Sequence, residues 1–308
     1  MLLEGGFSKR GWDGDSLAPE IKGNFTKATK HAKGKKGEIN IGFRYVDTDF
    51  RSIGAQTRRI EYNNTTTTYP YYSNDYTQRK VSVLDMMSDP NVYNQNLSTS
   101  LMTYNPMYSS VSPYGDATPN RIGLTAEIDN LDLTDFLSAK IQTQYFSEII
   151  GQGTIHKRSF NKSALHSLLF LDKLLSLNKH LSLEGSINLE TVKRDGDDFE
   201  KIDFNSILYS GSISYELIKN LKIIAGAKVF YVEGNEFIAE RDMYDQINDY
   251  LNNIYDSKET ILIGGLQHHF TDDIYFTMQY NQFNVLNKTN THDEFSLGRL
   301  IFMFNMNL

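Results

Sequence analysis

Apolar and polar residues alternate with a period of two through much of this chain, and that alternation limits its fold more than any other feature. From 181 to 190, Leu181, Leu183, Gly185, Ile187 and Leu189 oppose Ser182, Glu184, Ser186, Asn188 and Glu190. From 206 to 217, Ile207, Tyr209, Gly211, Ile213, Tyr215 and Leu217 oppose Ser206, Ser210, Ser212, Ser214 and Glu216, with Leu208 breaking the rule. Leu137, Ala139, Ile141, Thr143 and Tyr145 oppose Ser138, Lys140, Gln142 and Gln144. Successive side chains of a strand point to opposite faces, so each stretch reads as a strand with one apolar and one polar face. The pattern recurs at 39–45, 122–128, 221–231, 261–270, 274–283 and 297–308, and less clearly at 163–171. Roughly ten strands are expected from residue 38 onward, each about 9–13 residues long. Globular strands average about 5–6 residues, whereas a tilted membrane-spanning strand needs about 9–11.

The connections alternate as well. Those at 34–37, 129–135, 175–179, 217–220 and 270–273 are tight, and those at 51–120, 148–161, 192–204, 234–258 and 285–294 are long. An up-and-down sheet whose two ends face different surroundings has this pattern, and transmembrane barrels have short periplasmic turns and long extracellular loops. A bilayer accepts the apolar faces, and closing the sheet leaves no unpaired edge in lipid. Tyr45, Tyr145, Tyr231 and Tyr280 fall toward the long-connection end, and Phe136, Tyr215 and Phe270 toward the other, as two interfacial belts require. The competing arrangement is a water-soluble barrel or sandwich with the Leu/Ile/Tyr face inside.

The chain closes with Phe295-Ser-Leu-Gly-Arg-Leu-Ile-Phe-Met-Phe-Asn-Met-Asn-Leu308, in which Leu300, Phe302, Phe304, Met306 and Leu308 share a face. This segment resembles the closing strand of a bacterial outer-membrane β-barrel, although that family usually ends in Phe. With its Tyr- and Asn-rich loops, residues 38–308 resemble large barrel proteins of the Bacteroidota type. The resemblance implies an all-β, up-and-down antiparallel transmembrane β-barrel of about 10–12 strands in the outer membrane. It also implies two partners, outer-membrane lipid and the barrel-assembly machinery. Residues 1–37 read as an extra hairpin, or as the lead-in of a truncated upstream region. In that hairpin Leu3–Ser8 is a strand, 9–23 a loop and 24–32 a return strand. Met1 to Gly6 have neither the basic nor the apolar region of a signal peptide, which suggests a missing upstream part.

Composition narrows the function classes. A net charge of −7 opposes nucleic-acid binding, and the absence of Cys removes disulfides and thiolate metal sites. His268-His269 with Asp272-Asp273 invites a metal or catalytic reading, but adjacent strand residues point apart and the pair sits at a turn. No P-loop, GxGxxG, HExxH or GxSxG occurs, so no catalytic residue, metal or cofactor is expected and the chain does not read as an enzyme.

Two features are candidates for function. The polar faces carry Arg44, Glu127, Lys140, Glu184, Glu190, Lys222, Lys228 and Arg299, which a barrel would point into its lumen. They form either a selective path for a small solute or an occluded, salt-bridged interior. The segment 51–120 carries Tyr69, Tyr71, Tyr72 and Tyr76 after four threonines. It suits either contact with a glycan or surface protein, or a self-packed cap or plug over the lumen. Two functions are therefore expected: a channel or transport barrel, or a non-conducting barrel that anchors or displays this loop or an upstream domain. Within 239–256, Met243, Ile247, Leu251 and Ile254 recur at helical spacing, which predicts a short helix.

Overall fold

The computed structural model describes residues 2–9, 15–29, 32–48, 50, 107–108, 110–132, 134–241, 247–271, 274–289 and 294–306. It is all-β. The strands are β1 (Leu2–Lys9), β2 (Asp15–Thr29), β3 (Ala32–Val46), β4 (Arg121–Asp132), β5 (Leu137–Ser147) and β6 (Ser159–Phe170), then β7 (Leu181–Arg194), β8 (Ile202–Ile218), β9 (Leu221–Arg241), β10 (Ile247–His269), β11 (Ile274–Asn287) and β12 (Phe295–Met306). A short helix, α1 (Leu171–Leu175), and one 3-10 turn, Gly115–Ala117, are the only helical elements described. The strands form one twelve-stranded sheet in sequence order. Every neighbour pairs antiparallel. No pairing between β1 and β12 is present among the described residues.

Several strands are longer than the alternation suggests. The β7–β8 connection shrinks to 195–201, and β9 and β10 reach 21 and 23 residues. The helix expected within 239–256 is not formed: Ile247 to Asp256 belong to β10 and pair with Glu233 to Arg241 of β9. A ladder to β9 pairs the backbone groups along one edge of this segment and continues the strand already formed from Ser257 onward, and that outweighs a weak helical spacing. The N-terminal hairpin differs too. Its return strand begins at Asp15 rather than 24, and β3 runs through the glycines expected to form a turn at 34–37.

The register defines two faces, named here by Ile213 and Ser212. Cross-strand partners share a face, so Leu183, Ile213 and Ala225 lie in one row, and Glu184, Ser212 and Gly226 in the row on the other side. The Ile213 face is apolar and exposed from β3 to β12, through Ile41, Leu124, Ile141, Leu165, Leu183, Ile213, Ile223, Leu262, Met278 and Phe302. A water-soluble sandwich would bury this face.

The faces exchange character toward the long-connection end. On the Ile213 face, Leu189 and Ile207 give way to Lys193 and Asp203, and Tyr231 gives way to Glu233. On the Ser212 face, Ser186 and Ser210 give way to Val192 and Phe204, both 0 % exposed. The buried hydrophobic cluster of the described residues therefore sits there. It comprises Val111, Phe146, Phe160, Val192, Ile202, Phe204 and Val232, with Tyr255 edge-on to Phe204.

Candidate functional site

Charged side chains on the Ser212 face form a buried layer among these core residues. The connection between β5 and β6 closes on itself: the Glu148 amide donates to the Arg158 carbonyl at 3.0 Å, and the Arg158 amide donates to Glu148 Oε2 at 2.9 Å. The Arg158 guanidinium then donates to Glu148 Oε1 at 2.7 Å, Gln152 Oε1 at 2.6 Å and Glu236 Oε1 at 3.2 Å. Glu236 is 0 % exposed, and its Oε2 has no hydrogen-bond partner among the described residues. Arg158 precedes β6 and Glu236 lies on β9, three strand spacings away, which is about 14 Å on a flat sheet. Their contact shows that the sheet curls toward the Ser212 face.

Residues 107–108 and 110–120, at the end of the long connection before β4, run over this layer as a strap. Ser110 donates its amide to Glu190 Oε2 at 3.1 Å, while Glu190 Oε1 pairs with Lys162 at 2.6 Å. Val111 is fully buried, and its carbonyl accepts from Arg121, whose guanidinium stacks 3.6 Å from the Phe160 ring centroid. Tyr108 donates to Glu259 at 2.5 Å and stacks on Phe230 at 5.6 Å. Asp116 pairs with Arg44 at 2.8 Å. Asn120, at φ 57, accepts from the amides of Ile149 and Ile150, at 2.9 Å each, and donates to the Ile150 carbonyl. The strap is thus tied to β3, β4, β7, β10 and the β5–β6 connection. Its buried polar groups meet partners rather than water, which favours one fixed position.

The eight charged residues singled out from the sequence all fall on the Ser212 face, but they do not form one ring. Arg44 and Glu190 belong to the buried layer. Lys140 pairs with Glu127 and Asp129. Glu184 pairs with His166 at 2.8 Å, both about half exposed. Lys222, Lys228 and Arg299 make no ion pair among the described residues, and Lys228 and Arg299 are exposed. The half of this face near the short turns therefore stays open, and the half near the long connections is filled. Tyr69, Tyr71, Tyr72 and Tyr76 lie outside the described residues. His268 and His269 sit on opposite faces, against Phe270 and Tyr275 respectively.

Reading the sequence misses Glu148, Arg158 and Glu236, because all three lie in segments that read as loops. Their one sequence signal is a charged residue at the edge of an alternating stretch. No helix described is long and apolar enough to cross a membrane, which says nothing about crossing by strands. Comparisons with protein-family models, curated proteins and solved structures return no match to this chain.

Proposed function

We propose that this chain forms the wall of a β-barrel in the bacterial outer membrane, closed at its long-connection end. In this reading it acts as a non-conducting barrel for anchoring or surface interaction. The observation that carries the proposal is the inverted sheet. The apolar face is exposed across ten consecutive strands while the charged face is covered at its long-connection end, and lipid is the solvent that makes this arrangement favourable. Ile207 to Leu217 on β8 cover about 33 Å along the strand. At the tilt of a closed barrel, about 40°, this gives a height of about 25 Å, the usual apolar band. Tyr209 and Tyr231, with ring centroids 6.5 Å apart, sit near one edge of the band. An even number of strands in sequence order leaves β1 and β12 antiparallel, so pairing them would remove both edges from lipid. The long connections would then be extracellular and the short turns periplasmic, and the assembly machinery would insert the chain.

A channel is the second reading, favoured by the exposed Glu184, Lys228 and Arg299 on the open half of the Ser212 face. Planar-bilayer recordings decide between them. Under the closed reading, the intact protein passes no steady current and deletion of 63–115, which removes most of the strap, opens one. A stable current from the intact protein would establish the channel instead. Failure of the protein to enter lipid vesicles would overturn both.

A further inference from the structure

The turn between β6 and β7 carries a surface that neither the sheet nor the strap uses. Its conformation is well braced. Ser176 ends α1 in the left-handed region at φ 53, Leu177 donates its amide to the Asp172 carbonyl at 2.9 Å, and the buried Asp172 carboxylate bonds His180 at 2.8 Å. Leu174, Leu175 and Leu177 are left 46, 59 and 44 % exposed. The neighbouring β8–β9 turn adds Ile218, 60 % exposed, beside Leu217 of the Ile213 face. Three lysines ring this apolar knob. Lys173 lies 4.3 Å from the Phe170 ring centroid, Lys179 donates to the Leu217 carbonyl at 2.5 Å, and Lys219 is exposed. The nearby carboxylates are engaged, Asp172 with His180 and Glu216 with the His180 amide. An exposed positive patch thus stands on a chain of net charge −7, continuous with the apolar face.

We propose that residues 171–179 and 217–219 together dock onto anionic phospholipid headgroups of the leaflet at the short-turn end. This rests on the membrane reading above. At the headgroup level the leucines enter the acyl boundary, while Lys173, held by Phe170, and Lys179, held by Tyr215 and the Leu217 carbonyl, reach the phosphates together with the exposed Lys219.

Tryptophan quenching tests it in the full chain, with the single native tryptophan removed by Trp12→Phe. The Leu175→Trp variant is refolded into phosphatidylcholine vesicles that contain either phosphatidylglycerol or phosphatidylcholine brominated close to the headgroup. We expect quenching at least about twofold stronger with the brominated anionic lipid. Combining Lys173→Gln, Lys179→Gln and Lys219→Gln should abolish that preference. The Ile213→Trp variant, quenched by lipid brominated deep in the chain, reports insertion separately. Quenching at 213 with none at 175, or with no lipid preference at 175, overturns the docking proposal alone and leaves an acidic protein partner to be sought. No quenching at 213 overturns the membrane reading beneath it.

Discussion

Lys193 Nζ lies 4.0 Å from Asp203 Oδ1 across β7 and β8, on the face where the same two strands pair Leu189 with Ile207 only four residues away. In the proposed membrane reading, that short step from an apolar pair to an ion pair marks where the sheet leaves lipid for water. It gives the exposed face a depth scale. Ile213 sits well inside the apolar band, and Asn205 sits at the charged edge beside Asp203.

Ile213→Arg should therefore destabilise the lipid-inserted protein by about 2–4 kcal/mol, and Asn205→Arg by about 0–1 kcal/mol. Ser212→Arg, on the opposite face, should also cost far less than Ile213→Arg. Urea titrations of the protein refolded into vesicles measure all three. Equal losses at 205, 212 and 213 would remove both the two-face assignment and the depth scale.

The same exchange of character explains what the sequence did and did not reveal. From 206 to 217 one phase of alternation holds, and β8 is legible there to within a residue or two. At 192–204 the phase inverts, with Val192, Ile202 and Phe204 turning apolar on the side that had been serine. A reading that tracks one apolar face ends the strand at such a point. The 234–258 segment reads as a long connection for the same reason. The buried layer was harder still, because Arg158 meets Glu236 across two intervening strands. Alternation orders the residues within a strand but does not reveal the curl that brings distant strands together.

Gly234 stands at the inversion on β9, at φ +114, and a Cβ there would come 1.9 Å from the Asp203 carbonyl oxygen. Neither that dihedral nor that approach suits a side chain. Gly234→Val should cost at least about 1–3 kcal/mol from the backbone conformation alone. Gly264→Val is the control, since a Cβ at 264 meets nothing within 4 Å. Thermal unfolding of the two variants should separate them clearly, and similar midpoints would contradict the close approach at 234.

Acid should loosen the β6–β7 turn through Asp172. Burial pushes this carboxyl up, but the hydrogen bond and charge of His180, together with hydrogen bonds from the Lys173 and Asp172 amides, outweigh it and hold it below the usual carboxylate range. A carboxyl lowered on folding stabilises the protein fully above its unfolded value of about 3.9, and that stabilisation disappears as pH falls through the lower folded value. Wild type should thus exceed Asp172→Asn in stability at pH 7, and the gap should shrink steadily below about pH 4. Paired denaturant titrations at pH 7, 4 and 2.5 measure it. A gap that stays constant with pH would mean that the carboxylate contributes only through its shape.

Arg158 holds the layer together, since one guanidinium meets both Glu148 and Glu236 at 1 % and 0 % residue exposure. Removing one member of a buried charged group leaves the others uncompensated, typically at about 3–5 kcal/mol, whereas neutralising the whole group costs much less. Arg158→Met alone should therefore destabilise the protein by about that amount. Adding Glu148→Gln and Glu236→Gln to Arg158→Met should restore most of the loss, although fewer charges remain. Guanidinium unfolding of the single and triple variants gives both numbers. If the triple variant is as unstable as the single one, the layer is held by packing of the arginine stem rather than by charge. The strap would then rest on Val111 and its apolar neighbours instead of on the ion pairs beneath it.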